Sequence, residues 1–157
     1  MRSFKKEVLN LLSQKDFEKN LRDIHQFPPK KVVNSLFSFL VNSNPDIKIN
    51  AVKAMGEVVS KLAEKDIESA RTIMRRLMLS LTEESGGIGW GSPEAMGEIM
   101  ARSEKLAEEY HKILISYAEG GGNFLDFEEL QKSVISGLKR LSEVNPDLVK
   151  EVKHLLM

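Results

Sequence analysis

A four-residue phrase, Ala-Met-Gly-Glu, occurs twice in this chain, 41 residues apart. It occupies positions 54–57 and 95–98, and two apolar residues follow each copy. A weaker third copy at 135–138 keeps the glycine in third place and begins 40 residues after the second. Self-similarity at a fixed period of about 20–50 residues is typical of repeat proteins. We therefore expect a chain built from similar units that stack on one another.

The spacing of apolar residues predicts an all-α protein. Apolar side chains recur at intervals of three and four along most of the 157 residues, and no stretch alternates convincingly with period two. Proline and asparagine mark the breaks between helices, as in the two Asn-Pro-Asp turns at 44–46 and 145–147. We expect helices over about 3–13, 16–24, 29–42, 46–63, 67–84, 93–117 with a break near 102–103, 126–143, and a final helix after the second turn.

The repeated glycines indicate close packing between helices. A glycine inside a helix costs about 1 kcal/mol relative to alanine, so its recurrence at equivalent places needs a compensating gain. Small alanine and glycine residues beside a large methionine offer a neighbouring helix both a notch and a knob. We therefore predict that Gly56 and Gly97 occupy equivalent places on stacked inner helices.

The composition favours a single domain over residues 1–157. Cysteine is absent, which excludes disulfides and thiolate metal sites and fits a reducing cytoplasm. No apolar run approaches the about 20 residues that a membrane span needs. The apolar stretch near the start is interrupted by Glu7 and Asn10, which argues against a signal peptide. We expect a cytoplasmic protein with no membrane partner.

The region around the first phrase resembles the second helix of a HEAT-type repeat. It opens with Pro45 and Asp46, continues with an apolar-basic pair, and then places Ala51 ahead of the phrase. Lys48 stands where that pattern usually has arginine. The second copy keeps only the phrase and the residues after it, and the third keeps little beyond Gly137 and the following turn.

This resemblance implies a fold and a general role. The fold is a short right-handed α-solenoid of about three HEAT-like helix pairs over residues 28–157, with residues 1–27 as an N-terminal helical cap. Such repeats usually act as binding scaffolds, and the resemblance brings no catalytic residue with it. It implies a non-enzymatic protein-binding scaffold or adaptor.

Two repeated glutamates are the first candidate binding residues. Glu57 and Glu98 follow the repeated glycine in the same register, so we expect them to project in one direction along the concave face. The third copy has Leu138 at this place, where an acidic stripe would end in an apolar patch. Our hypothesis is that this face binds a protein segment with basic residues and an apolar anchor. A solvated charged face without a ligand is the alternative.

A glycine-rich loop leading into the second phrase is the other candidate binding element. Trp90 is the only tryptophan and lies between Gly89 and Gly91, and Ser92 is placed to cap the next helix. The loop can anchor a partner through its tryptophan, or cradle an anion on its backbone N–H groups. Glu94 in the first helical turn argues against an anion. Alternatively, the glycines permit a tight crossing and the tryptophan fills the gap between helices.

Metal and cofactor chemistry has little support in the sequence. Glu108 and His111 are three residues apart, as are Glu151 and His154, a spacing that di-iron helical bundles use. Those bundles need long helices and two further inward-facing glutamates, which this pattern does not supply. There is also no Gly-x-Ser-x-Gly element for acyl transfer. We expect no metal, no cofactor and no catalytic residue.

A cluster of basic residues supports an alternative function, a nucleic-acid-binding or DNA-repair-type enzyme on a HEAT-like fold. Arg71, Arg75 and Arg76 lie on one predicted helix, with Lys30 and Lys31 upstream. Phosphate contacts normally require a clear positive stripe, whereas this chain is neutral overall and the cluster has no interleaved aromatic residues. We therefore expect a protein partner rather than nucleic acid.

Overall fold

The computed structural model describes residues 3–82, 90–120, 124–125 and 127–157, and these residues form an all-helical structure without β-strands. The all-α prediction is therefore confirmed. The α-helices of this part of the chain are α1 (Phe4–Leu12), α2 (Phe17–Asn20), α3 (Pro29–Phe39), α4 (Pro45–Lys65), α5 (Ile67–Thr82), α6 (Ser92–Arg102), α7 (Glu104–Ser116) and α8 (Glu128–Val144). Two stretches of 3₁₀ turns are added at Leu21–Gln26 and Pro146–Leu155.

The helix breaks follow from the local sequence. The side chain of Asn44 caps α4, accepting hydrogen bonds from the backbone N–H groups of Asp46 at 2.9 Å and Ile47 at 3.4 Å. The predicted break near 102–103 is also present. Ser103 is extended, with φ −133° and ψ 105°, and its Oγ accepts from the Leu106 N–H at 3.2 Å. One serine therefore both ends α6 and begins α7.

Two predicted α-helices contain 3₁₀ turns instead. The expected helix over 16–24 is α-helical only in α2 and continues as 3₁₀ turns. The chain after Pro146 also forms 3₁₀ turns, with non-helical backbone angles at Val149 and Val152. These two valines are buried, and the segment packs on α7 and α8. A 3₁₀ helix has three residues per turn, so side chains three apart share one face and can all point inward.

Helices α4, α6 and α8 form a row in which each packs on the next, with α6 in the middle. On this row, α3 packs on α4, α5 contacts both α4 and α6, and α7 contacts α6. The final 3₁₀ segment contacts both α7 and α8. The alanine and methionine of both phrases are completely buried in the shared apolar core. Within the described residues, no helix has the length and apolar character needed to cross a membrane.

The repeated glycines lie at helix contacts in the α4–α6–α8 row. A Cβ atom added to Gly97 would lie 2.5 Å from the Cα of Gly137 and closer still to its carbonyl oxygen. A Cβ atom on Gly137 would overlap the carbonyl oxygen of Pro93 in return. On the other side of α6, a Cβ on Gly56 would lie 2.5 Å from the Cγ of Glu98. The predicted close approach of helix backbones is therefore present at Gly97 and Gly137, whereas Gly56 faces side chains of α6.

Candidate functional site

The two repeated glutamates lie inside a ladder of ion pairs. Glu57 is only 8% exposed and Glu98 only 6%. One carboxylate oxygen of Glu57 lies 2.7 Å from the Nε2 of His25. Its other oxygen accepts a hydrogen bond from the Nη1 of Arg102 at 3.1 Å. The bond between Arg102 and Glu57 joins α6 to α4, and Arg102 also donates from its Nε to Glu98 on its own helix at 2.6 Å.

The ladder continues from α6 to α8 through a second arginine. Arg140 donates to Glu98 from its Nε at 2.9 Å and from its Nη2 at 3.3 Å. Its Nη1 donates to Glu143 at 3.1 Å. The hydrogen bonds to the Glu98 carboxylate raise the pKa of Arg140 above its usual value. Glu98 therefore accepts from two guanidinium groups, and the ladder links three successive helices.

The ion pairs with Arg102 and Arg140 leave Glu57 and Glu98 less available to a partner. The two glutamates occupy the same position of the phrase on neighbouring helices, but their carboxylates already accept hydrogen bonds from this chain's own arginines. They form internal links rather than a free acidic stripe. Leu138, which takes the place of the glutamate in the third copy, is completely buried, so this residue itself forms no exposed apolar patch.

The sequence contains a signal for the ladder that the repeat pattern alone did not reveal. Arg102 follows Glu98 by four residues, which places the two side chains on one helix face. Arg140 follows Glu98 by 42 residues, close to the repeat length, which places it on the next helix of the row. A search for opposite charges separated by one repeat would have found this pair.

In the glycine-rich loop, the described residues Trp90 and Gly91 pack against other parts of the chain. Trp90 is half-buried, with its ring centroid 5.5 Å from that of Phe127 at the start of α8. Gly91 has a φ of +83°, and a Cβ there would lie 2.8 Å from the carbonyl oxygen of Leu40. This position therefore requires glycine for two reasons. Gly89 lies outside the described residues.

Ser92 is a buried link between helices and not a helix cap. It is the first residue of α6, and Gly91 occupies the capping position, so the predicted cap at Ser92 is wrong. Its Oγ lies 2.8 Å from the Oγ of Ser80 on α5. Ser92 is buried and Ser80 is partly buried, and their contact links the start of α6 to α5.

A groove of about 400 Å³ lies along the α4–α6–α8 row. Its apolar part comes from α4 and consists of Pro45, Ile49 and Val52. Ile49 is 50% exposed, which leaves a large apolar side chain open to solvent. The polar lining includes the Glu98–Arg140 pair of the ladder, so the groove runs beside it.

The charged groups of the groove differ in whether they have partners. Lys53 pairs with Glu18, and this hydrogen bond lowers the pKa of the Glu18 carboxyl group. Lys48 has no ion pair among the residues that the structure describes. The Oε1 of Glu94 is buried and, within the same part of the chain, has no hydrogen-bond partner. Apart from Lys48 and Glu94, the lining charges are therefore paired.

The basic cluster expected on α5 is divided between two environments. Arg71 pairs with Glu68 and with Glu109, donating to Glu109 from its Nε at 2.8 Å and from its Nη2 at 2.5 Å. This pairing lowers the pKa of the Glu109 carboxyl group. Arg76 lies 4.1 Å from the ring centroid of Phe37 and donates to Asn34 at 2.9 Å. Arg76 borders a separate groove of about 350 Å³ between α3 and α5.

The histidines of the two Glu-x-x-His pairs do not form part of a metal-ligand group in the described ranges. His111 directs its Nδ1 to the backbone carbonyl of Ala107 at 2.9 Å. Over residues 3–82, 90–120, 124–125 and 127–157, no three histidine, cysteine, aspartate or glutamate side chains are grouped in a way that could hold a metal ion.

Comparison with known proteins adds no further assignment, because no family model, curated protein or solved structure matches this chain. Any function must therefore be inferred from the geometry of the chain itself.

Proposed function

We propose that this chain is a non-enzymatic protein-binding scaffold, built as a short right-handed α-solenoid with HEAT-like repeats. The repeated phrase and the α4–α6–α8 row support the solenoid part of the proposal, because equivalent glycines lie at successive helix contacts. In such architectures the row of inner helices is the usual binding surface. The partner is a segment of another protein.

The groove along the α4–α6–α8 row is the observation that carries this proposal. Its volume of about 400 Å³ is enough for one or two side chains of a partner. Protein interfaces draw most of their binding energy from a few apolar or aromatic anchors that fill such pockets. The half-exposed Ile49, beside Val52, offers an apolar wall for an anchor of this kind.

A peptide selection with matched surface variants tests the proposed function. A phage-displayed library of random peptides is selected against the whole chain, and the affinities of enriched peptides are measured by fluorescence anisotropy. We expect Ile49→Glu to weaken binding by about tenfold or more, because it places a charge on the apolar wall. Leu79→Glu is the matched control, since Leu79 is 62% exposed on α5 and does not line the groove.

The two variants separate the possible outcomes. Both positions are exposed, so both variants should fold, which circular dichroism checks. Failure to enrich any peptide would contradict the proposed function. Peptides that lose affinity equally in both variants, or only in Leu79→Glu, would place binding on another surface. Binding of single-stranded or duplex DNA that Arg76→Ala removes would favour the nucleic-acid alternative and the groove between α3 and α5.

A further inference from the structure

One carboxylate oxygen in the groove is buried and has no hydrogen-bond partner among the described residues. Glu94 lies in the first turn of α6 and lines the groove, and its Oε1 is shielded from solvent without a hydrogen bond in the described structure. A buried acceptor without a donor costs free energy, and nearly all buried polar groups in folded proteins have a partner. A donor brought by a bound partner would remove this cost.

The other acidic groups near the groove are less suited to accept a hydrogen bond from a bound partner. Glu98 already accepts from Arg102 and Arg140, and Glu57 accepts from Arg102 and lies against His25. A partner that used either carboxylate would have to displace an arginine of this chain. Glu94 needs no such exchange, because its carboxylate forms no ion pair with the described residues, and a rotation of its side chain would bring the shielded Oε1 to a partner.

We propose that Glu94 is the carboxylate with which the α4–α6–α8 groove recognises its partner, and that the partner segment presents an arginine beside an apolar anchor. This proposal rests on the function proposed above. The apolar side chain contacts Ile49 and Val52, and the arginine donates to Glu94. A charged donor suits a carboxylate because such hydrogen bonds are roughly twice as strong as neutral ones.

A lysine on α4 restricts the charge of the partner segment. Lys48 lines the groove and has no ion pair in the described part of the chain, so it disfavours a second basic side chain on the α4 side. The groove therefore selects a segment with one well-placed arginine rather than a polybasic stretch. This requirement distinguishes recognition from general electrostatic attraction.

Three synthetic peptide pools of equal length test the proposal. Every peptide has a central leucine, and the pools differ only at one flanking residue within a helical turn of it, which is arginine, citrulline or glutamate. Citrulline keeps the shape of arginine but removes its charge. We expect the arginine pool to bind the wild-type chain about tenfold more tightly than the citrulline pool, and the glutamate pool to bind most weakly.

The isosteric variant Glu94→Gln identifies the residue responsible. It should remove the preference for arginine over citrulline while the chain keeps its fold, as judged by circular dichroism. Glu108→Gln is the matched control, because Glu108 is exposed on α7 and away from the groove, and it should leave the preference unchanged.

The outcomes distinguish this inference from the proposed function. Equal binding of the arginine and citrulline pools, with Ile49→Glu still weakening both, would overturn the role of Glu94 and leave the groove as a binding site. An arginine preference that survives Glu94→Gln would overturn it as well. If no pool binds and library selection also fails, both proposals are wrong.

Discussion

The two contacts that α6 makes in the row use the same glycine register in different ways. At the contact with α8, Gly97 lies against Gly137, and backbone meets backbone. At the contact with α4, Gly56 faces the side chains of Glu98 and Arg102. One glycine lets two helices approach closely, whereas the other makes room for an ion-pair ladder between them.

The difference shows how a repeat can keep its period while its interfaces diverge. The first two copies of the phrase end in glutamate, and both glutamates enter the ladder. The third copy has Leu138, which is buried in the apolar core. A backbone contact cannot adjust to an added atom, whereas a side-chain contact can shift by rotation. The two contacts should therefore respond differently to the same substitution.

Gly97→Ala should have the largest effect on stability. The new Cβ would lie 2.5 Å from the Cα of Gly137, so one helix must move as a unit. We expect a loss of about 3 kcal/mol, the upper part of the range for overpacked cores, even after the gain in helix propensity. Urea unfolding measures it, and an unchanged midpoint would show that the α6–α8 contact is loose.

Glu98→Gln should have the next largest effect. It removes the charge that holds Arg102 and Arg140, although both arginines remain partly exposed and regain some hydration. We expect a loss of about 2 kcal/mol, less than for a fully buried pair. Glu143→Gln is the control, since that glutamate is largely exposed, and it should cost less than about 0.5 kcal/mol. Equal costs would mean that the ladder adds nothing beyond a surface pair.

Gly56→Ala should cost less than Gly97→Ala although the nominal overlap is similar. Its Cβ would lie 2.5 Å from the Cγ of Glu98, a side-chain atom that can move. Part of that cost is offset by the gain of about 1 kcal/mol from replacing glycine in a helix. We expect a net loss of about 1 kcal/mol by urea unfolding. A loss as large as that of Gly97→Ala would erase the distinction between the two contacts.

Glu109→Gln should have the smallest effect and should depend on pH. Glu109 pairs with Arg71 between α5 and α7, and this pairing lowers the pKa of its carboxyl group in the folded state. The pair therefore stabilises the fold above the unfolded pKa, and the stabilisation is lost as the pH falls through the folded pKa. Melting temperatures of wild type and variant should differ slightly at neutral pH and converge as the pH falls below the ordinary carboxyl value of 4.5 and through the lowered folded pKa. A constant difference would contradict the assignment.

Helix boundaries and helix contacts that depend on a single residue type could be predicted from the sequence. The turn at Asn44, the break near Ser103 and the close approach at Gly97 each follow from a residue type at one position. The 3₁₀ turns after Pro146 were not predictable in this way, because apolar spacing of three and four fits an α-helix equally well. Packing against α7 and α8 accompanies the tighter winding there.

The candidate site was only partly predictable for a related reason. The register of Glu57 and Glu98 followed from the repeat, but their burial and pairing depend on Arg102 and Arg140, which lie beyond the phrases themselves. Local periodicity contains no information about such partners. Glu94 is recognisable from sequence only as a residue of the first helical turn, and its missing partner becomes visible once the groove is assembled.

Mapping the bound peptide by nuclear magnetic resonance tests the central claim, that the α4–α6–α8 groove is the binding surface, most directly. The ¹⁵N-labelled chain is titrated with the tightest-binding peptide from the arginine pool, and amide shift changes are followed. We expect the largest changes at Ile49, Val52 and Glu94, with little change around Leu79 on α5. Changes centred on the groove between α3 and α5, or no localised changes at saturating peptide, would contradict the claim.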